Sequence, residues 1–182
     1  MPAEITLDSR HIYGGKILNL RVDRVALPGG GEAIREVVGF FGGVAIVALD
    51  EAGRVLLIRQ YRYAVGRDLL ELPAGILEPG ERPIECAARE LEEETGYHAA
   101  HLEPLCRFYS TPGGTDEVLH VFMASGLTPG RPRPEADERI EIIPMAWDEA
   151  LAMVMRGEIC DGKSIIGLLM AQARRTGWKW EK

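Results

Sequence analysis

The first half of the chain consists of short apolar runs of strand length that are separated by turn sequences. Residues 17–27 form an extended pattern that ends at a proline and three glycines, and residues 34–39 resume it, which predicts a first hairpin. Residues 43–49 and 54–60 are mostly apolar and flank the turn sequence DEAG, which predicts a second hairpin with an apolar core.

The second half of the chain mixes strand and helix periodicities. Short strands are predicted over residues 69–72, 105–109, 117–124 and 140–145. Helices are predicted over residues 83–95, 147–156 and 164–175. Pro83 suits the first turn of the first helix, and Gly96 suits the position just past its end. Because strands and helices alternate irregularly, we predict an α/β (α+β) fold with a mixed sheet between helices, not a doubly wound parallel sheet.

The composition describes one domain, or one domain with a small extra lobe. The chain has 182 residues, of which 46% are apolar, so it can fill a sizeable core. Its formal net charge of −7 argues against general affinity for nucleic acid or for anionic membranes. An anionic phosphate substrate would therefore need local positive charge, from a metal ion or from arginine.

Cysteine usage and the absence of targeting patterns indicate a reducing compartment inside the cell. Cys86, Cys106 and Cys160 are odd in number, widely spaced and without a metal-ligand pattern. The N-terminal residues lack the basic and then apolar pattern of a secretion signal. The longest strongly apolar run, residues 44–49, is too short to span a bilayer. We therefore expect a cytoplasmic protein with no membrane partner.

Fixed residues recur between Gly75 and Tyr97 in the spacing G-x5-E-x7-R-E-U-x-E-E-x-G-U, where U is a bulky apolar residue. The positions are Gly75, Glu81, Arg89, Glu90, Leu91, Glu93, Glu94, Gly96 and Tyr97. At 100° per residue, Glu90, Glu93 and Glu94 share one arc of the helix, and Ile84, Ala87, Ala88 and Leu91 occupy the neighbouring, buried arc.

Three carboxylates on one arc repel one another, at a cost of roughly 0.2–0.5 kcal/mol for each adjacent pair. A hard divalent cation removes that penalty, and Mg²⁺ prefers oxygen ligands. Arg89 lies four residues before Glu93 and can orient it by a charge-assisted hydrogen bond. Gly75 allows the backbone to approach a metal or phosphate closely. A solvated acidic face is the simpler interpretation of the acidic run alone, but the full spacing with Gly75 and Glu81 argues against it.

This pattern resembles the Nudix box at every position, with an aromatic Tyr97 where an aliphatic residue is usual. The resemblance implies metal-dependent hydrolysis of a nucleoside diphosphate linked to another group, with Mg²⁺ or Mn²⁺ as cofactor. It implies that the metal is held by the carbonyl of Ala74 and by Glu90, Glu93 and Glu94. Gly75, Glu81 and Arg89 would then support the site.

The flanking sequences narrow the resemblance to ADP-ribose pyrophosphatases and related nucleotide-sugar enzymes. The segments RQYRYAVGRDLLELPAGILEPGE and YSTPGGTDE, with Pro112 sixteen residues after Gly96, carry this similarity, which extends over about residues 13–172. It implies a Nudix fold, with an N-terminal β lobe over residues 1–40 and a hydrolase domain over residues 41–182. In that group the lobe helps to form a homodimer, whose substrate site uses both subunits.

The resemblance also implies substrate contacts. Arg35 and Arg62 would contact the phosphates and ribose, with Arg59 as a weaker candidate, and Ile76 would touch the sugar. Gly114 and Glu117 would lie in the loop at the terminal ribose. The alternatives are a surface ion pair for Arg35 and ordinary turn chemistry for the loop residues.

A distal carboxylate is expected at the metal as a base or a ligand. Glu138 in the sequence DERIEI fits the pattern of the group best, and Glu141 and Glu135 are its rivals. If Glu138 is mainly a ligand, Glu135 or Glu93 is the candidate base.

Three other functions compete with ADP-ribose hydrolysis. A GDP-mannose or other nucleotide-sugar pyrophosphatase is closest, and the C-terminal GEICDGKSIIGLL does not separate the two. A binding module with a degenerate box is disfavoured because the box carboxylates are all present. A hydrolase for oxidised nucleoside triphosphates is disfavoured by the N-terminal lobe and by the Pro112 loop.

Overall fold

The computed structural model describes residues 3–133 and 138–177, which contain ten strands and three helices. The strands are β1 (Ile5–Gly14), β2 (Leu18–Ala26), β3 (Glu32–Phe40), β4 (Gly43–Ala48), β5 (Val55–Arg62), β6 (Arg67–Glu71), β7 (Ala74–Ile76), β8 (Tyr97–Tyr109), β9 (Val118–Pro129) and β10 (Ile140–Met145). The helices are α1 (Pro83–Thr95), α2 (Trp147–Met155) and α3 (Gly162–Arg175).

The chain divides into two compact units, and the first contains residues 3–42 and Tyr109–Val118. Its three-stranded antiparallel sheet has the order β1-β2-β3. Strands β2 and β3 pair from Leu18↔Phe40 to Ala26↔Glu32, which confirms the first predicted hairpin. Strand β1 was not predicted, because all ten of its residues are exposed and its sequence carries no buried face to generate a pattern.

The second unit contains Gly43–Phe108 and the described residues after Val118. One sheet has the order β10-β5-β6, and the other has the order β7-β4-β9-β8. Strand β4 pairs with β7 antiparallel and with β9 parallel, so the second sheet is mixed.

The predicted second hairpin is wrong. The turn after β4 does reverse the chain, with hydrogen bonds from Asp50 N to Arg54 O and from Gly53 N to Asp50 O. However, β4 and β5 belong to different sheets, and only an isolated bridge, Leu49↔Val55, joins the two segments. All six residues of β4 are buried, so this strand needs a neighbour on each edge and cover on both faces.

Strand β4 is the centre of the core, because alternate side chains pack on opposite faces. One face joins α1 in a cluster that includes Val44, Ile46, Leu56, Phe122, Cys86, Ala87 and Leu91. The other face joins α2 and α3 in a cluster that includes Val47, Val121, Leu72, Trp147, Ala150, Leu168 and Ala171. A mixed sheet between helices, the predicted fold class, is therefore confirmed.

None of the helices in residues 3–133 and 138–177 combines the length and the apolar character that a bilayer-spanning helix needs.

Candidate active site

Helix α1 runs over the predicted residues, because its ends are encoded locally. Pro83 occupies the first turn, where its missing N–H costs no hydrogen bond. Gly96 has a φ of 73°, and its N–H donates to the carbonyl of Glu92 at 2.8 Å, which ends the helix. The buried arc of the helix differs from the predicted one, because Ile84 and Ala88 are exposed whereas Glu94 is buried together with Leu91. The helix is thus rotated toward its carboxylates, which lie partly inside the packed face.

Glu94 is a buried carboxyl group that accepts a hydrogen bond from the backbone of strand β7. Its Oε2 accepts a hydrogen bond from the N–H of Ala74 at 2.9 Å. Burial raises the pKa of Glu94 to about 8 despite that hydrogen bond, and the negative charges of Glu90 and Glu138 act in the same direction as burial. We call Glu90, Glu94 and Glu138 the acidic group, because each of the first two is influenced by the charge of Glu138.

Glu90 lies directly against the backbone of Gly75. A Cβ atom added to Gly75 would come within 1.8 Å of the Cδ of Glu90. Burial raises the pKa of Glu90, against the effect of Arg89, and the charges of Glu93 and Glu138 raise it further. The glycine that opens the motif therefore makes room for one of its carboxylates.

Gly75→Ala is expected to displace the Glu90 carboxylate and to lower kcat/KM for the reaction that the sequence predicts by about a hundred-fold, since misplacement of reacting groups by an ångström has effects of this size. Gly75 has no positive φ, so its backbone accepts an alanine, and the unfolding free energy should change little. Steady-state kinetics and urea unfolding measure the two quantities.

Gly29→Ala is the matched control, because a Cβ at Gly29 meets nothing within 4 Å and its φ is not positive. It should leave both quantities unchanged. If Gly75→Ala retained full activity, Glu90 would not need its observed position.

Arg89 connects the loop before α1 to the carboxylates of the helix. Its Nε and Nη2 donate to Glu81, each at 2.9 Å, and Nη1 donates to Glu90 at 2.6 Å and to Glu93 at 3.1 Å. Nη2 also donates to the carbonyl of Ile76 at 3.2 Å. The hydrogen bonds from Arg89 lower the pKa of Glu81 to about 2, which keeps Glu81 ionised. The predicted Arg89–Glu93 contact is thus confirmed.

Of the two candidate distal acids that lie in the described residues, Glu138 is the one whose charge acts on Glu90 and Glu94. Gln60 Nε2 donates to Glu138 Oε1 at 3.4 Å. Glu141 instead pairs with Arg59 at 2.8 Å on an exposed surface. Glu135 lies outside the described residues. The Oε1 atom of Gln60 is buried and accepts no hydrogen bond from the described residues.

The candidate substrate residues fall into two sets. In the second unit, Arg62 pairs with the buried Glu71, and Ile76 is 47% exposed. In the first unit, Arg35 forms an exposed ion pair with Glu4. The loop candidates also belong to the first unit, where Gly114 O accepts from Val38 N at 2.9 Å and Glu117 O accepts from Ser110 N at 3.3 Å.

Within residues 3–133 and 138–177, no three His, Cys, Asp or Glu side chains converge closely enough to hold a metal ion. Instead, Arg89 donates hydrogen bonds to Glu90 and Glu93, and the backbone N–H of Ala74 donates to Glu94. The donor chemistry nevertheless fits a hard divalent cation. All donors are oxygen atoms, the acidic group carries repulsion that a cation would remove, and Gly75 permits close approach.

Three further polar residues at this end of the second unit were not predicted, namely Gln60, Glu71 and Lys163. Glu71 is 1% exposed and accepts hydrogen bonds from both Arg62 and Lys163. The position of Glu71 between the apolar residues Leu70 and Leu72 is an available signal, because a charged residue buried among apolar ones needs a partner of opposite charge. Its partner at position 163 is 92 residues away and carries no local pattern.

Two family models match the chain. The model described as "NUDIX domain" matches residues 39–162, and the model described as "Nucleoside diphosphate sugar hydrolase N-terminal domain" matches residues 4–38.

Known proteins resemble the chain over most of its length. An ADP-ribose pyrophosphatase of Mycobacterium tuberculosis is 44% identical over 177 residues, which cover 95% of this chain and 85% of that protein. A GDP-mannose pyrophosphatase of Yersinia enterocolitica is 38% identical over 151 residues, 78% of each chain. A solved structure titled "Crystal structure of ADP compounds hydrolase" superposes with a TM-score of 0.86 over 97% of both chains. At 18% sequence identity it shows the shared fold alone.

Proposed function

The chain belongs to the Nudix family and is a pyrophosphohydrolase of nucleoside diphosphate sugars, and on that premise we propose that its substrate is ADP-ribose. Water cleaves the pyrophosphate bond and gives AMP and ribose 5-phosphate. The observation that carries the proposal is the complete Nudix box folded as one unit, with Glu90 against Gly75 and Glu94 against Ala74. The similarity to an ADP-ribose pyrophosphatase covers 95% of the chain at 44% identity, against 78% at 38% identity for a GDP-mannose pyrophosphatase, which favours ADP-ribose.

The metal site that we propose consists of the carbonyl of Ala74 and the carboxylates of Glu90, Glu93 and Glu94. Mg²⁺ is the proposed ion and Mn²⁺ the alternative. When bound, the ion neutralises pyrophosphate oxygens and lowers the pKa of the attacking water. Arg89 donates hydrogen bonds to two of these carboxylates, and its bonds to Glu81 hold the loop between β7, which carries Gly75, and α1.

Glu138 is the proposed general base, which accepts the proton of the attacking water. The side chain of Gln60 orients its carboxylate. Glu93 is the alternative base. Arg62 supplies positive charge to the diphosphate, and Ile76 packs on the sugar. Arg35, Gly114 and Glu117 are the proposed contacts from the N-terminal unit.

We also propose a cytoplasmic homodimer that forms through the N-terminal unit. Strand β1 is an edge strand, and its apolar side chains Ile5, Ile12 and Tyr13 are about half exposed or more. An exposed apolar edge is a surface that a second chain can cover. Cys86, Cys106 and Cys160 are free thiols, which suits a reducing compartment.

A substrate panel tests the function. With Mg²⁺, kcat/KM for ADP-ribose is expected to exceed that for GDP-mannose by about tenfold or more, a difference that pocket contacts readily supply. Hydrolysis in ¹⁸O-labelled water then shows whether AMP or ribose 5-phosphate receives the oxygen, and therefore which phosphorus is attacked. EDTA should stop the reaction. A higher kcat/KM for GDP-mannose would refute the substrate assignment, and equal rates in EDTA would refute the metal requirement.

A further inference from the structure

A buried ion network lies where β5, β6 and the first turn of α3 meet. At its centre is Glu71, whose two carboxylate oxygens accept hydrogen bonds from Arg62 Nε at 2.8 Å and Arg62 Nη2 at 2.7 Å. Lys163 Nζ donates to the same carboxylate at 2.5 Å. Two parallel N–H···O bonds fix both the position and the plane of a guanidinium group.

We propose that Glu71 is a positioning residue for hydrolysis, which holds the Arg62 guanidinium in the orientation that binds the diphosphate of the substrate. This inference rests on the proposed function, because it presumes that a diphosphate binds beside the acidic group. Glu71 itself is almost completely buried and would not touch the substrate.

The free edge of the guanidinium supports this role. Nε and Nη2 are used by Glu71, which leaves Nη1 without a protein acceptor among the described residues. The Arg62 side chain is 36% exposed, so a ligand can reach this edge. Glu71, which binds Arg62, lies three residues before Ala74, whose N–H donates to Glu94, so one segment of chain links the guanidinium to the acidic group. The charge of Arg62 also acts to lower the pKa of Glu94.

The charges within the network balance. Glu71 bonds to Arg62 and Lys163, and Asp161 bonds to Lys163 and to the N-terminus of α3, so the four side chains together are neutral. The attraction of Arg62 for phosphate therefore depends on the position of its guanidinium edge and not on a net charge of the network. Burial alone would raise the pKa of Glu71, but its two cationic partners lower it, so Glu71 stays ionised.

The frame around Glu71 is rigid. The residue that follows it, Leu72, donates its N–H to Ser164 Oγ at 2.7 Å, and Ser164 Oγ donates in turn to Asp161 at 2.6 Å. Arginine normally loses rotamer freedom when it binds an anion. A guanidinium that is already fixed avoids that entropic loss at the moment of binding.

The competing interpretation is that the network only docks α3 onto β6. Buried ion pairs often serve packing, and loss of one partner then destabilises the fold without a specific effect on ligand binding. The two interpretations differ in whether the effect of removing the Glu71 charge depends on Arg62.

A double-mutant cycle separates them. Glu71→Gln is expected to lower kcat/KM for ADP-ribose by about tenfold or more, mainly through KM, and to weaken ADP-ribose binding in EDTA, measured by calorimetry, by a similar factor. In an Arg62→Met background, Glu71→Gln should produce no further loss in either measurement. Lys163→Met is the matched control, because it disrupts the same network but leaves the Arg62 fork intact, and its effect should stay within about threefold.

Each outcome decides the question. If Glu71→Gln lowers kcat/KM equally with and without Arg62, or if Lys163→Met matches it, Glu71 serves packing only and the inference fails. If wild-type protein neither binds nor cleaves ADP-ribose, the proposed function fails first. Should Glu71→Gln not fold, the double variant Glu71→Gln/Lys163→Met removes one negative and one positive charge together and carries the same test in both Arg62 backgrounds.

Discussion

Glu94→Gln is expected to lower kcat by at least about a thousand-fold, which corresponds to roughly 4 kcal/mol of lost transition-state stabilisation. The charge of Glu94 is removed from the centre of the proposed metal site, where an amide is a much weaker ligand. The fold should persist, because glutamine has the same shape and its amide oxygen can accept the hydrogen bond that Ala74 N gives to Glu94 at 2.9 Å.

Glu85→Gln is the matched control, since Glu85 lies on the same helix with an exposed side chain that pairs with Arg82. Its kcat should remain within about twofold of the wild-type value. Steady-state kinetics at saturating Mg²⁺ measure both variants. Wild-type activity in Glu94→Gln would overturn the assignment of the box carboxylates.

The same variant should change the stability of the metal-free protein with pH. The pKa of Glu94 is about 8 in the folded protein and 4.5 in the reference state, so the folded protein binds this proton more tightly than the unfolded chain does. The associated stabilisation is complete below pH 4.5 and is lost as the pH rises through 8. In EDTA at pH 8.5, Glu94→Gln is therefore expected to exceed the wild type in unfolding free energy by roughly 4 kcal/mol.

Urea unfolding at pH 5 and pH 8.5 measures this difference, which should nearly vanish at the lower pH. At pH 8.5, saturating Mg²⁺ should make the wild type more stable than Glu94→Gln, because the ion stabilises only the protein that binds it. If the wild type were more stable than Glu94→Gln in EDTA at pH 8.5, ionisation of Glu94 would not destabilise the folded protein.

Glu138→Gln is expected to lower kcat by about a hundred-fold, the usual contribution of a general base. Glu141→Gln is the matched control on the neighbouring strand, since Glu141 forms an exposed pair with Arg59, and it should keep nearly full activity. The dependence of rate on Mg²⁺ concentration distinguishes the two possible roles of Glu138. Excess Mg²⁺ should partly restore the rate if Glu138 is mainly a ligand, and it should not if Glu138 is the base.

A larger loss in Glu141→Gln than in Glu138→Gln would contradict the position of Glu138 beside Gln60. If neither variant lost activity, Glu93 would become the candidate base, with its carboxylate oriented by Arg89.

The local features of the site were predictable from the sequence. The bounds of α1 follow from Pro83 and Gly96, and the contact of Arg89 with Glu93 follows from the helical repeat. Each of these inferences involves residues within one or two helical turns of each other.

Features that depend on contacts between residues far apart in the sequence were missed or predicted wrongly. Strand β4 could not be assigned its neighbours, because a fully apolar strand shows no preferred face and its pairing is decided by segments about 75 residues away. Glu71 was missed for the same reason, since Lys163, which helps keep it ionised, lies on α3. Gln60 was missed because a single buried amide carries no periodic signal.

The parallel pairing of β4 with β9 has a consequence for synthesis of the protein. Gly43 pairs with Leu119 and Ala48 with Ala124, so β4 gains this neighbour only after most of the chain has left the ribosome. Until then, the segment GVAIVA offers one bare backbone edge and apolar side chains, the features that promote self-association of nascent chains. Since β4 also pairs with β7, which carries Gly75, self-association at this stage would also disturb the strand that positions the first glycine of the box.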